Sequence, residues 1–312
     1  MADDCVVIGA GISGLAAART LAERGWSVRV LEKGRGVGGR MASRRVGEAR
    51  FDHGAQFFTV RSDRFSELVE RAKADGAVTE WTHGFGTPPD GHARWRGLEG
   101  MTSLCKWMAA DADVAVELST TVTDLRDIDS RAVILTAPVP QSLAILSFSG
   151  LLPAPELAIR LAGIAYKPTI AVLATLDRPP GGMAAHGGCQ FADGEDLAFV
   201  TDNQAKGISA TPALTVHLSN ERSHEHWTLD DAAVVAFAET HTADLRGDAS
   251  IVSTQVQRWR YAGPVTVDPD PTVVWGDAPV VAMAGEAFAG PKVEGAFLSG
   301  VAAAEAVVAR LG

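Results

Sequence analysis

The sequence predicts an α/β fold in which a dinucleotide-binding Rossmann domain is assembled from both ends of the chain, with a discontinuous α+β domain between them. Three observations predict it. A short apolar run, Cys5 to Ile8, enters Gly9-Ala10-Gly11-Ile12-Ser13-Gly14, an alanine-rich helix follows to about Arg24, and a second strand, Val28 to Leu31, ends at Glu32. At the far end, Val280 to Ala284 is a buried-strand pattern closing on Gly285-Glu286, and Val293-Glu294-Gly295-Ala296 opens an amphipathic helix to about Arg310. Between about Pro140 and Arg258, helical stretches alternate with strands of period two, so the middle of the chain differs in architecture from its ends.

In the first unit Gly9 takes the tight turn, Gly11 lets the backbone approach a pyrophosphate, and Gly14 lets helix and strand pack closely. The helix start at Ile12 and Ser13 offers free N–H groups to phosphates. Glu32, 18 residues past Gly14, falls where a carboxylate accepts hydrogen bonds from an adenosine ribose. The glycine pattern alone is a weak signal, because such turns are common; the strand, helix and acidic residue in order strengthen it. NAD and FAD stay open at this point, since both carry adenosine diphosphate.

Further along, Ser62 or Asp63 caps a helix to about Ala74 that Gly76 ends. Asp75 to Gly100 reads as strands and turns, and Met101 to Ala110 as a helix. Val114 to Leu118, Val122 to Leu125 and Ala132 to Thr136 read as strands. Helices are expected near Gln141 to Leu146, Pro155 to Ala162 and Asp231 to Leu245, with strands at Ile170 to Asp177, Leu197 to Thr201 and Ala213 to Ser219. Because the cofactor elements must meet in space, residues 1–75, 97–140 and 260–312 are expected to form the cofactor domain. Residues 76–96 and 141–259 then form a substrate domain, an antiparallel sheet flanked by helices.

The continuation past Glu32 narrows the choice. Gly38-Gly39-Arg40 is followed by Phe51-Asp52-His53-Gly54-Ala55-Gln56-Phe57-Phe58. Here the chain resembles the FAD-binding glutathione reductase-like superfamily, in particular its amine oxidase branch, where the arginine of a GGR segment lies near the FAD pyrophosphate. Within that branch GVGGRMASRR followed by FDHGAQFFT is similar to the renalase family, as is Arg258-Trp259-Arg260-Tyr261-Ala262. The resemblance implies FAD as cofactor and a substrate domain of amine oxidase or p-hydroxybenzoate hydroxylase type. It extends the expected FAD contacts from Gly9, Gly11, Ile12, Ser13, Gly14 and Glu32 to Lys33, Gly39, Arg40 and Met41, and to Gly54, Ala55 and Gln56 beside the flavin ring. Val122 is implied against the adenine, Gly285 and Glu286 at the ribityl chain, and Val293, Glu294 and Ala296 at the flavin pyrimidine ring. A helix N-terminus there would stabilise the anionic reduced ring.

The family also implies a reaction. Renalases oxidise isomeric dihydronicotinamide dinucleotides, with the hydride at ring position 2 or 6, and pass the electrons to O2. Amine oxidases of the branch instead frame the amine with two aromatic rings, one often a tyrosine just before the segment that matches Val293-Glu294-Gly295. This chain has Lys292 there and only two tyrosines, Tyr166 and Tyr261. A cation beside the flavin repels a protonated amine and favours an anionic substrate. Gln56, Lys292, Arg258 and Arg260 are therefore the expected substrate-facing residues. Arg258 and Arg260 point one way from a strand and Trp259 and Tyr261 the other, so one pair reaches the cavity and the other packs away. Amine oxidation and a noncatalytic flavin-binding role are the alternatives.

Bulk properties set limits. Hydrophobic residues at 46% and charged residues at 21% are ordinary for a globular protein, and a net charge of −10 argues against nucleic acid or an anionic membrane as partner. The 3 cysteines, Cys5, Cys105 and Cys189, form no CxxC pair, which fits a reducing compartment. Met1 to Asp4 run straight into the first strand without a signal-peptide pattern, and the apolar stretch Leu157 to Leu176 is broken by Arg160, Lys167 and Pro168. A cytoplasmic home is expected. His224 and His226, near His217 and His241, lie in a Ser-His-Glu-His run that reads as a polar loop rather than as metal ligands. FAD is expected without a covalent link, since no cysteine lies in the C-terminal flavin segment.

Overall fold

A computed structural model of the chain describes residues 3–86, 88–288 and 290–312. In chain order, β1 (Asp3–Ile8), α1 (Ile12–Ala22) and β2 (Val28–Leu31) form the first unit. A short 3-10 turn, Gly39–Met41, leads to the hairpin β3 (Ser43–Val46) and β4 (Ala49–Asp52), then α2 (Asp63–Ala74) and a second hairpin, β5 (Val78–Thr82) and β6 (Arg94–Gly97). Next come α3 (Thr102–Asp111), β7 (Ala115–Glu117), β8 (Ser130–Leu135), α4 (Val139–Ser149) and α5 (Pro155–Ala162). The middle holds β9 (Tyr166–Leu176), β10 (Gly188–Gln190), β11 (Leu197–Asp202), β12 (Ala213–Leu218), α6 (Asn220–Glu225), α7 (Asp231–His241), α8 (Ala243–Arg246) and β13 (Ile251–Pro264). The chain returns through β14 (Val273–Trp275), β15 (Val280–Met283) and α9 (Lys292–Leu311).

The first sheet has the order β14-β15-β8-β1-β2-β7, parallel except for the β14 edge. Its central strands are covered on both faces and so read as unbroken apolar runs, as in Val133 to Leu135 and Val280 to Met283. On one face Ala16, Ala17 and Ala18 of α1 are fully buried beside α9, close enough that a Cβ on Gly300 would lie 2.0 Å from the Ser13 carbonyl oxygen. On the other face Leu146 of α4 and Leu161 of α5 pack with Val133, Leu135 and Met283.

The second sheet, β10-β11-β12-β9-β13, is antiparallel throughout. Ile170, Val172, Val200 and Val216 bury one face against Val234 and Ala238 of α7. The opposite face carries Ala171, Leu173 and Ala213, which pack on Ala49 and Phe51 of β4. The segment that follows β4 is thereby clamped between the two sheets.

Four sequence expectations shift. The change of domain placed at 140 falls near 165, because α4 and α5 bury their apolar faces under the first sheet. The second sheet likewise extends past 259 to Pro264 along β13. Val122 to Leu125 is not a strand: the chain turns at Ser119, Thr120 N–H donates to the Glu32 carbonyl, and Leu125 N–H is taken by Ser149 Oγ. Ser223 to Glu225 lie in α6 rather than in a loop, since Ser219 caps that helix by accepting from Arg222 N–H. No described helix is long and apolar enough to cross a membrane.

Candidate active site

The N-terminal end of the cleft is built almost wholly from backbone. Gly9 has a φ of 108°, and a Cβ on Gly14 would stand 1.9 Å from the Gly9 carbonyl oxygen, so the turn and helix interlock only through glycine. Gly11, the N-cap of α1, has no atom within 4 Å of its would-be Cβ and leaves an open cradle at the helix start. Inside that turn Ser13 Oγ is buried with no hydrogen-bond partner among the described residues. An orphaned hydroxyl, an open glycine and unpaired helix N–H groups suit a diphosphate. Glu32 is buried, and its two oxygens accept from Ala10 N–H at 2.8 Å and Gly34 N–H at 2.6 Å. The carboxylate thus braces both sides of the turn while its remaining lone pairs stay free.

The other end is built from side chains brought from afar. Arg40 forms a two-pronged ion pair with Glu286 and donates to the Tyr261 carbonyl at 3.0 Å. A Cβ on Gly54 would lie 2.0 Å from the Arg40 carbonyl oxygen, which Ala55 N–H bonds at 2.9 Å. Tyr166 and Tyr261 meet edge to face at 5.4 Å, and Tyr166 Oη accepts from Val139 N–H. Burial, reinforced by the Glu286 carboxylate, pushes the Tyr166 phenol above its ordinary range.

His53 stacks on Trp259 with rings 5.3 Å apart and 6° from parallel. The His53 carbonyl accepts from Trp259 Nε1 at 2.7 Å and contacts His217 Nε2 at 3.3 Å. Burial pulls both imidazoles down to about 4, helped at His53 by the Arg44 guanidinium, so both are neutral at pH 7. Beneath the loop Lys206 and Asp52 form an ion pair at 2.7 Å with both side chains fully buried. Burial lowers the Lys206 pKa and the Asp52 carboxylate opposes that shift. Phe57, Trp81, Phe85 and Phe199 make an aromatic wall alongside, with the Arg94 guanidinium over Phe57.

Several expected substrate-facing residues are placed elsewhere. Arg258 bonds Asp231 at 2.5 Å and the Leu229 carbonyl, and Arg260 lies over Trp227, so both arginines face the α6–α7 side. The aromatic pair Trp259 and Tyr261 takes the cleft side, because the helices supply carboxylate and carbonyl partners for guanidinium groups. Gln56 is buried and its amide is engaged: Nε2 donates to the carbonyls of Asp52 and Gly54, and Oε1 accepts from Thr201. Lys292 is exposed at the start of α9, with a φ of 83°.

Among the expected cofactor residues, Glu294 turns its carboxylate to Ser62 N–H at 2.6 Å and caps α2, leaving only its backbone for the cleft. Ser62 therefore begins α2 without capping it by its own hydroxyl. Met41 is buried in the first core, and Val122 packs beside the second. Lys33 is exposed and reaches Gln141 at 3.3 Å. Gly39 begins the turn that carries Arg40, and Gly285 N–H donates to Ser299 Oγ. Val293 and Ala296 are buried in the first turn of α9.

The Asp52–Lys206 pair and the His53–Trp259 stack join residues 154 and 206 positions apart, and nothing in the local pattern announces them. Among the described residues no group of three or more His, Cys, Asp or Glu side chains could hold a metal ion.

Comparison with known proteins agrees with the fold. The family profile for flavin containing amine oxidoreductase matches residues 95–308, and that for an NAD(P)-binding Rossmann-like domain matches residues 7–72. An L-amino acid dehydrogenase from Synechocystis sp. is 39% identical over 67 residues, a match spanning 21% of this chain and 14% of that protein. Cyclohexylamine oxidase from Brevibacterium oxydans superposes with a TM-score of 0.75 at 15% identity over 100% of both chains. A putative protoporphyrinogen oxidase from Exiguobacterium sp. gives 0.69 at 13% identity, covering 99% of this chain and 98% of that one. A putrescine oxidase bound to putrescine gives 0.69 at 17% identity, covering 99% and 100%. At such identities the likeness shows the fold alone.

Proposed function

This chain belongs to the flavin containing amine oxidoreductase family and takes FAD as cofactor, and from that premise we propose that it oxidises the 2- or 6-dihydro isomers of NAD(P)H. Bound FAD would accept the hydride and hand both electrons to O2, so that dihydronicotinamide, O2 and a proton yield NAD(P)+ and hydrogen peroxide. Gly9, Gly11, Ser13 and the first N–H groups of α1 would hold the diphosphate, Glu32 the adenosine ribose, and Arg40 with Glu286 the segment leading to the flavin.

The observation that carries the choice of substrate is the pairing of Tyr166 with Tyr261. Their edge-to-face contact at 5.4 Å leaves no slot between the rings for an amine, and Lys292 stands at the head of α9 where amine-oxidising relatives place an aromatic wall. The chemistry asks little of the side chains. A dihydropyridine that loses hydride becomes aromatic without giving a proton to a base, so the residues must stack, orient and shield. His53 and Trp259 offer a flat neutral surface suited to that task.

Amine oxidation is the second reading, favoured by the family match over residues 95–308. Anaerobic stopped-flow decides between them. Rapid bleaching of flavin absorbance by the 2- and 6-dihydro isomers is expected, with 4-dihydro NADH about a hundredfold slower because ~1 Å of misplacement costs that much. Bleaching by benzylamine or a polyamine alone would promote the amine reading, and bleaching by none of them a noncatalytic role.

A further inference from the structure

The loop at the flavin end rests on a buried charge that the proposed reaction does not use. Lys206 Nζ donates to Asp52 Oδ2 at 2.7 Å and to the Gln56 carbonyl at 2.6 Å, and it lies 4.8 Å from the Trp81 ring centroid. Its side chain is fully buried, as is that of Asp52. Asp52 Oδ1 is itself engaged by Met101 N–H at 2.8 Å and by Ser43 Oγ. Arg96, with Nε buried and unpartnered among the described residues, adds a second cation near the same carboxylate.

The peptide unit that Lys206 grips has a second end. The Gln56–Phe57 bond is trans, so the Phe57 N–H points away from the carbonyl that Lys206 binds. That N–H makes no hydrogen bond among the described residues, whereas Phe58 N–H is paired with the Trp95 carbonyl. On the Lys206 side lie the turn after β11 and Trp81; Ala55 N–H, one residue before Gln56, bonds the Arg40 carbonyl of the cofactor domain. A cation at the carbonyl polarises the peptide and strengthens its N–H as a donor.

We propose that Lys206 is a positioning residue for the cofactor: by anchoring the Gln56 carbonyl it presents the Phe57 N–H to FAD as a fixed, polarised hydrogen-bond donor. Gln56 Nε2, bonded to the carbonyls of Asp52 and Gly54, and Thr201 complete the frame that keeps the loop from turning. The inference rests on FAD binding at this loop and on no choice of substrate.

FAD titration into full-length apoprotein tests it, with the absorbance band of the bound flavin as a second readout. K206M is expected to weaken FAD about tenfold to a hundredfold, the span of one charge-assisted hydrogen bond, and to shift the visible band. K206R, which keeps the charge, is expected to restore both in part. Should K206M fail to fold, D52N/K206M serves in its place, because it leaves no unpaired buried charge. A lowered thermal midpoint with parental FAD affinity and spectrum, in either variant, would reduce Lys206 to a purely structural role and overturn the proposal. None of these readouts needs a substrate, so such a failure leaves the reading of the reaction standing.

Discussion

At the end of the cleft proposed for the adenosine the groups placed to hold a ligand lie within residues 9–34 and are largely backbone: Gly9, Gly11, the start of α1, and Glu32 bonded to two N–H groups. At the end proposed for the flavin they are side chains from positions as distant as Arg40, Gln56, Tyr166, Thr201, Lys206, Trp259 and Glu286. The first end is a local object, closed once a strand, a turn and a helix form. The second exists only after the antiparallel sheet has docked on β4, since Thr201, His217 and Trp259 each bond the segment from His53 to Gln56. In the proposed reading one cofactor is thus held by two kinds of structure, one robust to change elsewhere in the chain and one dependent on domain packing.

The sharpest way to break that contrast is to fill a glycine at each end. G14A would place a Cβ 1.9 Å from the Gly9 carbonyl oxygen and G54A one 2.0 Å from that of Arg40. Both are expected to cost about 3 kcal/mol in denaturant melts, the upper range for overpacking, and to purify without flavin. G54A alone is expected to loosen the contact between the sheets, read as faster proteolysis of the second domain; equal proteolysis in both variants would erase the distinction.

Next in size are the Glu32 carboxylate and the Arg40–Glu286 ion pair. E32A is expected to weaken FAD about tenfold to a hundredfold, because it loses a ribose acceptor and the brace on Ala10 and Gly34 together. R40K keeps the charge and loses the forked geometry with Glu286, and about tenfold weaker FAD is expected. Dialysis followed by flavin fluorescence measures both, and unchanged FAD content in E32A would remove Glu32 from the site.

The end proposed for the flavin also carries a pH signature. His53 and His217 sit near 4, below the ordinary histidine value of 6.5. Between those limits the unfolded chain binds protons that the folded one refuses, so stability is full above pH 6.5 and falls as pH drops towards 4. Urea melts across that window should show the decline, and H217Q should flatten it. A parental slope in H217Q would show that this imidazole does not resist protonation.

The smallest effects are expected from Arg258 and Arg260, which lie on the helix side of β13. R258A and R260A should leave FAD affinity and flavin reduction within about twofold, and R258A should lose no more than about 1 kcal/mol for its half-exposed ion pair. A tenfold fall in flavin reduction in either would return them to the substrate site.

The sequence by itself determined β1, β2, β7 and β8 of the first sheet, the glycine turn with Glu32, the closing strand and helix near the C-terminus, and the antiparallel character of the middle. Those features follow from periodicity and from glycines whose spacing the backbone demands within a few turns of chain. Tertiary structure alone decided that α4 and α5 belong under the first sheet, because helices with apolar faces can cover either sheet and only packing chooses. It also decided which face of Arg258-Trp259-Arg260-Tyr261 meets the cleft: alternation divides the residues into two pairs, and the carboxylate of Asp231 and the carbonyl of His53, both remote in sequence, assign each pair its side. Glu294 and Lys206 belong to the same class, since a side chain's partner is set by which segments fold against it. Local spacing carries information about backbone geometry, whereas the pairing of distant side chains is settled only when the two sheets close on the loop between them.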